Sequence, residues 1–594
     1  MKLKKVTSLL LAGAMVIASL AGCGSSGSTD TASTDSSAAT TTTDTSAAAT
    51  TDTAADTSAD AGSGETMVFE IYDAAANYQG MQTGWFQKVV NDRFNVDLNI
   101  IAPQVAGDAI FQTRASSGNL GDIVLLDATD FADCVKSGLI KDISADIGNY
   151  PNLMVFKEQI DVYNQGLEGN AGEIYGIPTE MLNSSPSSYS QDVIYSSPLL
   201  RWDLYKELGM PDIKDLDGLL DVLGQMMEAH PTNDAGDPAY PFSLWADWDG
   251  GDGMIGIANV VQLTTWYGEK LRGSMILKPD GTFTPLTDKT ASYYKITKFL
   301  NNAYRRGLVD PDSGTQDWNS ACAKMGAGQV YLMWYSWQVG FWNSQDRLED
   351  GTAFIFVPVE DQNYYADADA YFGSGRVFGV GSQVDDAKYK KIMEFLDWYA
   401  SPEGATFQHT GIEGFNYEVN ADGTYTAINS NALMDNLPVP EEYGGAGYND
   451  GNNAINQWIV SSNSINPNTG ETYNKEYWKS WKEATNTQMK KEWAEKFGAK
   501  EPVEWMKKNN KLLISPNVSI SLDSDTADIA VIRNQCNEIV CDYTWQMIFV
   551  DDDAAFDAKW DEMTAQLEGN GFADLCAFDQ TKHQKELDEK NKYK

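Results

Sequence analysis

Histidine is scarce in this chain of 594 residues, which has three, at His230, His409 and His583. Their wide separation argues against a histidine-based metal centre, because such sites usually draw ligands from short, regular spacings. The sequence also lacks an HExxH zinc motif and a GxSxG nucleophile elbow. We therefore predict that the protein is not an enzyme.

Cysteine is nearly as rare, with six residues in all. The five beyond Cys23 are widely scattered, and an odd number leaves at least one unpaired, so they do not form a disulfide framework. A disulfide between Cys536 and Cys541 is one alternative, but we expect buried free thiols for most of the set. The five are Cys134, Cys322, Cys536, Cys541 and Cys576.

Basic residues are too few to balance the acidic ones. The chain has 43 Lys and Arg against 85 Asp and Glu, which gives a formal net charge of −42. This charge argues against nucleic acid or an anionic lipid surface as a partner. Long apolar runs are also lacking after residue 64, so no later segment is expected to span a membrane.

An apolar run does lie near the start, over residues 9–20, behind a basic start that includes Lys4 and Lys5. It is too short to cross a bilayer comfortably and leads into small residues, as a signal peptide does. The run ends in Leu20-Ala21-Gly22-Cys23, which resembles the bacterial lipobox. The resemblance implies a signal peptide over 1–22 and acyl chains such as palmitate on Cys23. These chains would be the membrane anchor, on the extracytoplasmic face.

Residues 24–64 are nearly all Gly, Ser, Thr, Ala and Asp. Such a segment cannot bury enough apolar surface to offset its chain entropy, so we predict that it stays disordered. Residues 23–65 are then a lipidated, flexible tether with a reach of about a few nanometres.

From residue 66 the composition becomes globular, over roughly 530 residues. This length exceeds one ordinary domain, so we expect two or more lobes. Apolar periodicity predicts alternating strands and helices at the start of this region, and hence a βαβαβ lobe on a largely parallel sheet. The predicted strands are 67–72, 96–101 and 121–127, and the predicted helices are 84–94 and 108–117.

Three details of this lobe and the region after it are open to a direct check. In the helix over 84–94 we expect Trp85, Val89 and Phe94 to face inward. Asp130 is expected to N-cap the next helix, and Ser401 to N-cap a helix that has Pro402 in its first turn.

A series of short motifs falls at predicted strand ends, turns and helix starts. In chain order they are Gly121-Asp122-Ile123-Val124, Ser137-Gly138-Leu139-Ile140, Ile174-Tyr175-Gly176-Ile177-Pro178, Leu200-Arg201-Trp202-Asp203, Met325-Gly326-Ala327-Gly328, Leu396-Asp397-Trp398, Ser401-Pro402-Glu403-Gly404 and Ile412-Glu413-Gly414. In this order they resemble the family 1 extracellular solute-binding proteins of carbohydrate ABC transporters, in the large lipoprotein subgroup. The similarity runs over most of the mature chain.

The resemblance implies an α/β fold of two lobes, the periplasmic-binding-protein-like (type II) fold, with interleaved segments and a hinge. The first lobe is expected at roughly 66–185 and 375–435, and the second at roughly 186–374 and 436–594. A ligand would bind between the lobes and favour the closed hinge. The implied partners are the permease subunits of an ABC transporter with cytoplasmic ATPases, and no cofactor is expected.

Aromatic residues form two clusters in the expected second lobe. Trp245 and Trp248 flank a polar loop with Asp247, and Trp334, Tyr335 and Trp337 follow a glycine turn. A flat ring can cover the C–H face of a sugar, while carboxylates or guanidinium groups bind its hydroxyls. Core packing is the competing interpretation for each Trp.

Polar candidates come from strand ends and loops of the matched motifs: Asp73, Asp127, Arg376 and Glu413. The loop Asn233-Asp234-Ala235-Gly236-Asp237 lies where some larger relatives carry calcium. It lacks the spaced carboxylates and the distal Glu of such a site, so we interpret it as a surface turn and predict no metal.

The sequence therefore predicts a lipid-anchored binding protein that captures an oligosaccharide for an ABC importer. A peptide-binding or adhesion lipoprotein is the alternative, and an exported polysaccharide-degrading enzyme is a more distant one.

Overall fold

The computed structural model describes residues 66–594 except 108, 252, 253, 430, 431, 434 and 521. The predicted signal peptide, Cys23 and the tether lie outside the described residues. Within these bounds, none of the helices combines the length and the apolar character that a membrane span needs.

Short strands are distributed over most of the chain. They are β1 (Met67–Asp73), β2 (Gly80–Met81), β3 (Val96–Ile101), β4 (Ile123–Asp127), β5 (Gly176–Pro178), β6 (Ser196–Arg201), β7 (Lys270–Arg272), β8 (Met275–Leu277), β9 (Phe283–Pro285), β10 (Leu332–Tyr335), β11 (Phe354–Phe356), β12 (Tyr364–Asp367), β13 (Arg376–Val380), β14 (Tyr417–Val419), β15 (Tyr425–Ala427) and β16 (Leu512–Ser515).

The α-helices cover the sheets and become longer towards the C-terminus. They are α1 (Gly84–Phe94), α2 (Pro103–Ala106), α3 (Ala109–Ser116), α4 (Ala128–Lys136), α5 (Lys157–Gln165), α6 (Trp202–Glu207), α7 (Leu216–Ala229), α8 (Ala258–Leu263), α9 (Ser292–Arg305), α10 (Trp318–Gly326), α11 (Gln345–Asp350), α12 (Asp386–Tyr399), α13 (Pro402–His409), α14 (Lys479–Ala484), α15 (Gln488–Phe497), α16 (Pro502–Lys508), α17 (Ala527–Ile548), α18 (Asp553–Gly569) and α19 (Phe572–Lys590).

The first sheet has the strand order β2-β3-β1-β4-β13-β5. Its three inner strands β3, β1 and β4 are parallel, as predicted, while β2, β13 and β5 pair antiparallel with their neighbours. Ile123 to Leu126 are all buried, as expected for a strand covered on both faces.

One of the local predictions needs correction. In α1, Trp85 is buried, and Val89 and Phe94 are half-buried and pack against the first core, as predicted; Phe86 and Val90 are also buried. Helix α4 begins at Ala128, so Asp130 lies in its first turn and is not the N-cap. The Ser401 cap is confirmed, since its hydroxyl accepts the Gly404 N–H at 3.0 Å.

The described residues form two large hydrophobic cores, and over this range the chain passes between the two cores three times. One core contains the first sheet, and the other surrounds the sheet of order β10-β6-β11. The passages fall near residues 182–189, 366–377 and 473–489, where the buried side chains change from one core to the other. The two-lobe α/β fold with interleaved segments is therefore confirmed.

The packing moves one expected lobe boundary. Ile455, Ile459 and Tyr473 belong to the first core. Trp85 of α1 stacks on Tyr448 with ring centroids 5.2 Å apart. Because this segment covers α1, we propose that the first lobe extends to about residue 473, and not to 435.

The five described cysteines are free. Cys134, Cys536 and Cys576 are buried, and Cys322 and Cys541 are partly buried. Burial raises the pKa of the Cys134 thiol to about 11, so this group stays protonated at neutral pH.

Gly404 provides a test of the packing around α13. A Cβ atom at this position would lie 2.1 Å from the carbonyl oxygen of Trp398, and backbone cannot move aside as a side chain can. We expect Gly404→Ala to lower the free energy of unfolding by about 3 kcal/mol in urea titrations. Gly148, whose Cβ would meet nothing within 4 Å, is the matched control. Gly148→Ala should change stability by less than about 0.5 kcal/mol, and equal effects of both substitutions would contradict this packing.

Candidate functional site

Eight aromatic rings meet at one end of the second core, and we call them the aromatic cluster. The members are Tyr195, Trp245, Trp248, Trp318, Trp334, Tyr335, Trp337 and Phe341. They come from the end of β10 and the turn after it, the loop after Leu244, the start of α10 and the residue before β6. Ser196 of β6 pairs with Tyr335 of β10, which brings Tyr195 against Tyr335 at 5.2 Å between ring centroids.

The cluster has a buried layer and an outer layer. Trp245 and Trp334 are 0% and 1% exposed, and their rings stack in parallel at 5.3 Å. Trp248, Trp318 and Trp337 are half-buried and lie over this pair. The centroids of Trp248 and Trp318 are 4.6 Å apart, and those of Trp318 and Trp337 are 5.3 Å apart. Tyr195 and Phe341 are exposed by 56% and 41%.

This layering corrects part of the predicted binding surface. Trp245, Trp334 and Tyr335 are buried, so they support the outer rings and present no face to solvent. Trp248 and Trp337 keep an accessible surface. The prediction missed Trp318, Tyr195 and Phe341. For Trp318 the sequence does contain a signal: this Trp stands in a polar stretch, directly after Asp317, the N-cap of α10.

Asp247 and Asp249 fix the loop that carries Trp248. Asp247 is exposed, and its Oδ1 accepts the Trp318 N–H at 2.9 Å. Asp249 accepts the Ala258 N–H at 2.9 Å and the Trp545 indole N–H at 2.7 Å. Burial raises the pKa of Asp249 to about 6. Both carboxylates therefore bind N–H groups of the protein itself.

A second group of polar side chains lies at an edge of the first sheet, and we call it the polar edge: Asp73, Asp127, Glu180, Ser374 and Arg376. The carboxyl ends of parallel β1 and β4 place Asp73 and Asp127 at the same edge. Arg376 begins antiparallel β13 and stands opposite Asp127 in the register. Its Nε lies 3.2 Å from Oδ1 of Asp127, which forms a largely solvent-exposed ion pair.

Asp73 lies beneath this surface. Its side chain is 0% exposed, and Oδ1 accepts the Ala75 N–H at 2.8 Å, which holds the turn after β1. Burial raises the pKa of Asp73 to about 7, although backbone hydrogen bonds and the charge of Arg376 act in the other direction. We predicted that Asp73 contacts the ligand, but in this conformation it is buried and cannot do so. It can still orient the groups around Arg376.

Glu180 is a residue of the polar edge that the prediction missed, although it follows the quoted motif over 174–178. Its backbone is left-handed, with φ of 57°, an uncommon conformation for a residue with a Cβ atom. Burial raises the pKa of Glu180, while a hydrogen bond with Ser374 and the charge of Arg376 lower it. Strained backbone of this kind concentrates at functional sites.

Glu413 joins neither group. It is exposed in a turn that bridges to Tyr417. Burial raises the pKa of Tyr417 and Tyr443, and the charge of Glu413 adds to this rise. Tyr417 belongs to a small separate core with Tyr425 and Trp478. The structure gives Glu413 no contact with the other predicted ligand-binding residues.

Two of the three passages between the cores lie beside these groups: the first runs from the polar edge to the aromatic cluster, and the second ends at the polar edge. β5 ends at Pro178, next to Glu180, and the following strand β6 starts beside Tyr195. β12 leads through Ser374 to Arg376 of β13. The Thr179 and Ser374 hydroxyl oxygens lie 2.9 Å apart, so a hydrogen bond joins the two passages where they leave the first sheet.

The loop at Asn233 forms a surface turn. Oδ1 of Asn233 accepts the backbone N–H groups of Ala235 and Asp237 at 3.1 and 2.8 Å. Across the described ranges, no group of three or more His, Cys, Asp or Glu side chains is placed to hold a metal.

A separate groove of about 740 Å³ lies on the second core and shares no lining residue with the aromatic cluster or the polar edge. The ammonium group of Lys295 in this groove lies 3.1 Å from Asp361 and 3.5 Å from the Tyr267 ring centroid. Lys289 and Lys298 of this groove form ion pairs with Asp561 and Asp553, which lie outside its lining.

The family model described as bacterial extracellular solute-binding protein matches residues 80–406. Lipoprotein LipO of Bacillus subtilis is 26% identical over 57% of this chain and 62% of its own length. The fructooligosaccharide ABC transporter substrate-binding protein FusA of Streptococcus pneumoniae is 25% identical over 37% of this chain and 40% of its own length. The chain thus spans less than two thirds of either relative.

A solved structure shows the same fold over a longer range. The HMO-binding, ABC-transporter-associated solute-binding protein of Bifidobacterium longum infantis superposes with a TM-score of 0.55 at 14% identity. The superposition covers 87% of this chain and 98% of that protein.

Asp73 yields a pH test of the polar edge. Its pKa rises from 3.8 to about 7 on folding, so the folded protein binds more protons than the unfolded chain between these values. The contribution of this carboxyl to stability therefore falls as pH rises through that window. We expect Asp73→Asn, which keeps the Oδ1 acceptor, to gain about 2–4 kcal/mol over the parent protein between pH 4 and pH 8 in urea titrations. A constant difference between the two proteins over this range would contradict the buried carboxyl.

Proposed function

The chain belongs to the bacterial extracellular solute-binding proteins, and from this premise we propose that it captures an oligosaccharide between its lobes and delivers it to the permease of an ABC importer. The observation that carries the proposal is the pairing of an outer layer of Trp rings on one lobe with a polar edge on the other. Both lie where the chain passes between the lobes, which is where a hinge closes on its ligand.

The two surfaces supply complementary interactions for a sugar. Trp248, Trp318 and Trp337 offer a continuous apolar surface for the C–H faces of sugar rings. Asp127, Glu180 and Arg376 offer acceptors and donors for the hydroxyl groups. A ligand that touches both lobes binds the closed state more tightly, and this difference in affinity drives closure.

The relatives support a carbohydrate over a peptide. FusA is a fructooligosaccharide-binding protein by name, and the structural neighbour from Bifidobacterium is an HMO-binding protein. Both of these proteins are associated with ABC transporters. For the present chain we propose the same kind of activity, in which the ligand is bound and is not chemically converted.

We further propose that Cys23 carries the lipid anchor and that the protein works on the extracytoplasmic face of the membrane. The Leu20-Ala21-Gly22-Cys23 motif and the lipoprotein relative LipO support this part of the proposal.

Replacement of Trp337 tests whether the outer rings bind the ligand or only pack against the core. We expect Trp337→Ala to weaken binding of the cognate oligosaccharide by about 2–4 kcal/mol in titration calorimetry, because a stacking face is lost. The ligand is first found in a thermal-shift screen of oligosaccharides and peptides, since a ligand at 100 times its Kd adds about 2.7 kcal/mol of stability.

Two controls accompany this variant. Trp481, a half-buried Trp outside the aromatic cluster, should be replaceable by Ala without loss of affinity. Trp245→Ala, in contrast, should destabilise the fold by about 3–5 kcal/mol because that ring is buried. Parental affinity of a folded Trp337→Ala protein would show that the outer rings do not contact the ligand.

The anchor has its own test. Cys23→Ala should abolish incorporation of labelled palmitate and move the protein from the membrane fraction to the medium, because no acyl chain can then be attached. Ser25→Ala, a substitution two residues further on in the predicted tether, is the control and should leave labelling intact. Unchanged membrane association of the Cys23→Ala protein would rule out this anchor.

A further inference from the structure

The charges around the proposed site indicate which class of oligosaccharide it takes. The loop of the aromatic cluster contributes Asp247 and Asp249, and the polar edge contributes Asp127 and Glu180, while Asp73 is buried behind them and presents no surface to a ligand. Arg376 is the cation among the described residues of these two groups, and it is already paired with Asp127. A sugar with carboxylate or sulfate groups would therefore meet like charge on both lobes, which disfavours it strongly.

A positively charged ligand is also poorly matched. Ammonium groups bind in aromatic cages, where the rings surround an open space. Here the ring centroids of Trp248, Trp318 and Trp337 are 4.6 to 6.0 Å apart, so the rings pack against each other and leave no space between them for a cation. The carboxylates of Asp247 and Asp249 already accept N–H groups from Trp318, Ala258 and Trp545.

Taken together, a continuous ring surface and carboxylates engaged within the protein suit a ligand with broad apolar faces and hydroxyl groups. We infer that the site is selective for uncharged oligosaccharides and rejects uronate-bearing chains. This inference rests on the proposed function, because it specifies the ligand of the same site.

The experiment compares ligands of different charge on the full mature protein. Titration calorimetry would use neutral hexasaccharides (fructan, glucan, mannan and xylan), oligogalacturonate and oligoguluronate as anionic ligands, and chitosan oligosaccharide as the cationic ligand. At least one neutral ligand should bind, with a Kd that changes less than about twofold between 20 and 300 mM NaCl. Every anionic ligand should bind about 100-fold more weakly or worse at low salt.

A variant tests the role of the paired arginine. Asp127→Asn removes the partner of Arg376 and should shift the ratio of uronate to neutral affinity by about fivefold or more towards the uronate. Asp574→Asn, which makes the same change of net charge at an exposed position on α19, should leave this ratio unchanged. Equal ratios for both variants would contradict the assignment of Arg376.

The possible results distinguish selectivity for uncharged chains from oligosaccharide capture as such. Tight binding of a uronate or of chitosan oligosaccharide, as strong as that of any neutral chain, would overturn the neutral selectivity and leave oligosaccharide capture intact. Binding of peptides without binding of any saccharide would overturn the proposed function itself.

Discussion

The neighbouring positions of β5 and β13 in the first sheet set the geometry on which the rest of the site depends. The first passage to the second core leaves from the end of β5, and the second passage returns into the start of β13. The two passages are joined by the hydroxyl contact between Thr179 and Ser374. Any residue at these strand ends is therefore held at the edge of the first lobe that adjoins the second.

The positions of the charged groups follow from this arrangement. Arg376 begins β13, and the antiparallel register places it opposite Asp127 of β4. Burial of Asp73 behind this pair costs free energy at neutral pH, because its carboxyl is taken out of water. The same edge contains Glu180 in a left-handed conformation. Unfavourable features at one edge of a well-packed sheet are consistent with a site whose geometry serves binding and not stability.

The fold could be predicted from sequence to a large extent. The strands of the first sheet and α1 follow from apolar periodicity, since burial against a core dictates that pattern. The segment over 436–473, which the sequence analysis placed in the second lobe, has short loops without a period, and we propose that it belongs to the first lobe. It joins the first core through contacts of Trp85 and Met181, which are distant in sequence.

The site could be predicted only in part. The residue types were informative, and five of the predicted residues do belong to the aromatic cluster. Sequence cannot tell which ring of a Trp-rich cluster is covered by the others, because Trp245 is covered both by Trp248 of its own loop and by Trp318, which is distant in sequence. Asp73 and Asp127 illustrate the same limit: both follow apolar strands, yet one is buried and the other largely exposed.

The central claim is that one ligand contacts both the aromatic cluster and the polar edge. A crystal structure of the mature protein with a saturating oligosaccharide measures this directly. We expect electron density for sugar rings against Trp337 and Trp248, with hydroxyl groups within hydrogen-bonding distance of Arg376 or Asp127. Density confined to the groove at Lys295, or a ligand that touches only one lobe, would contradict it.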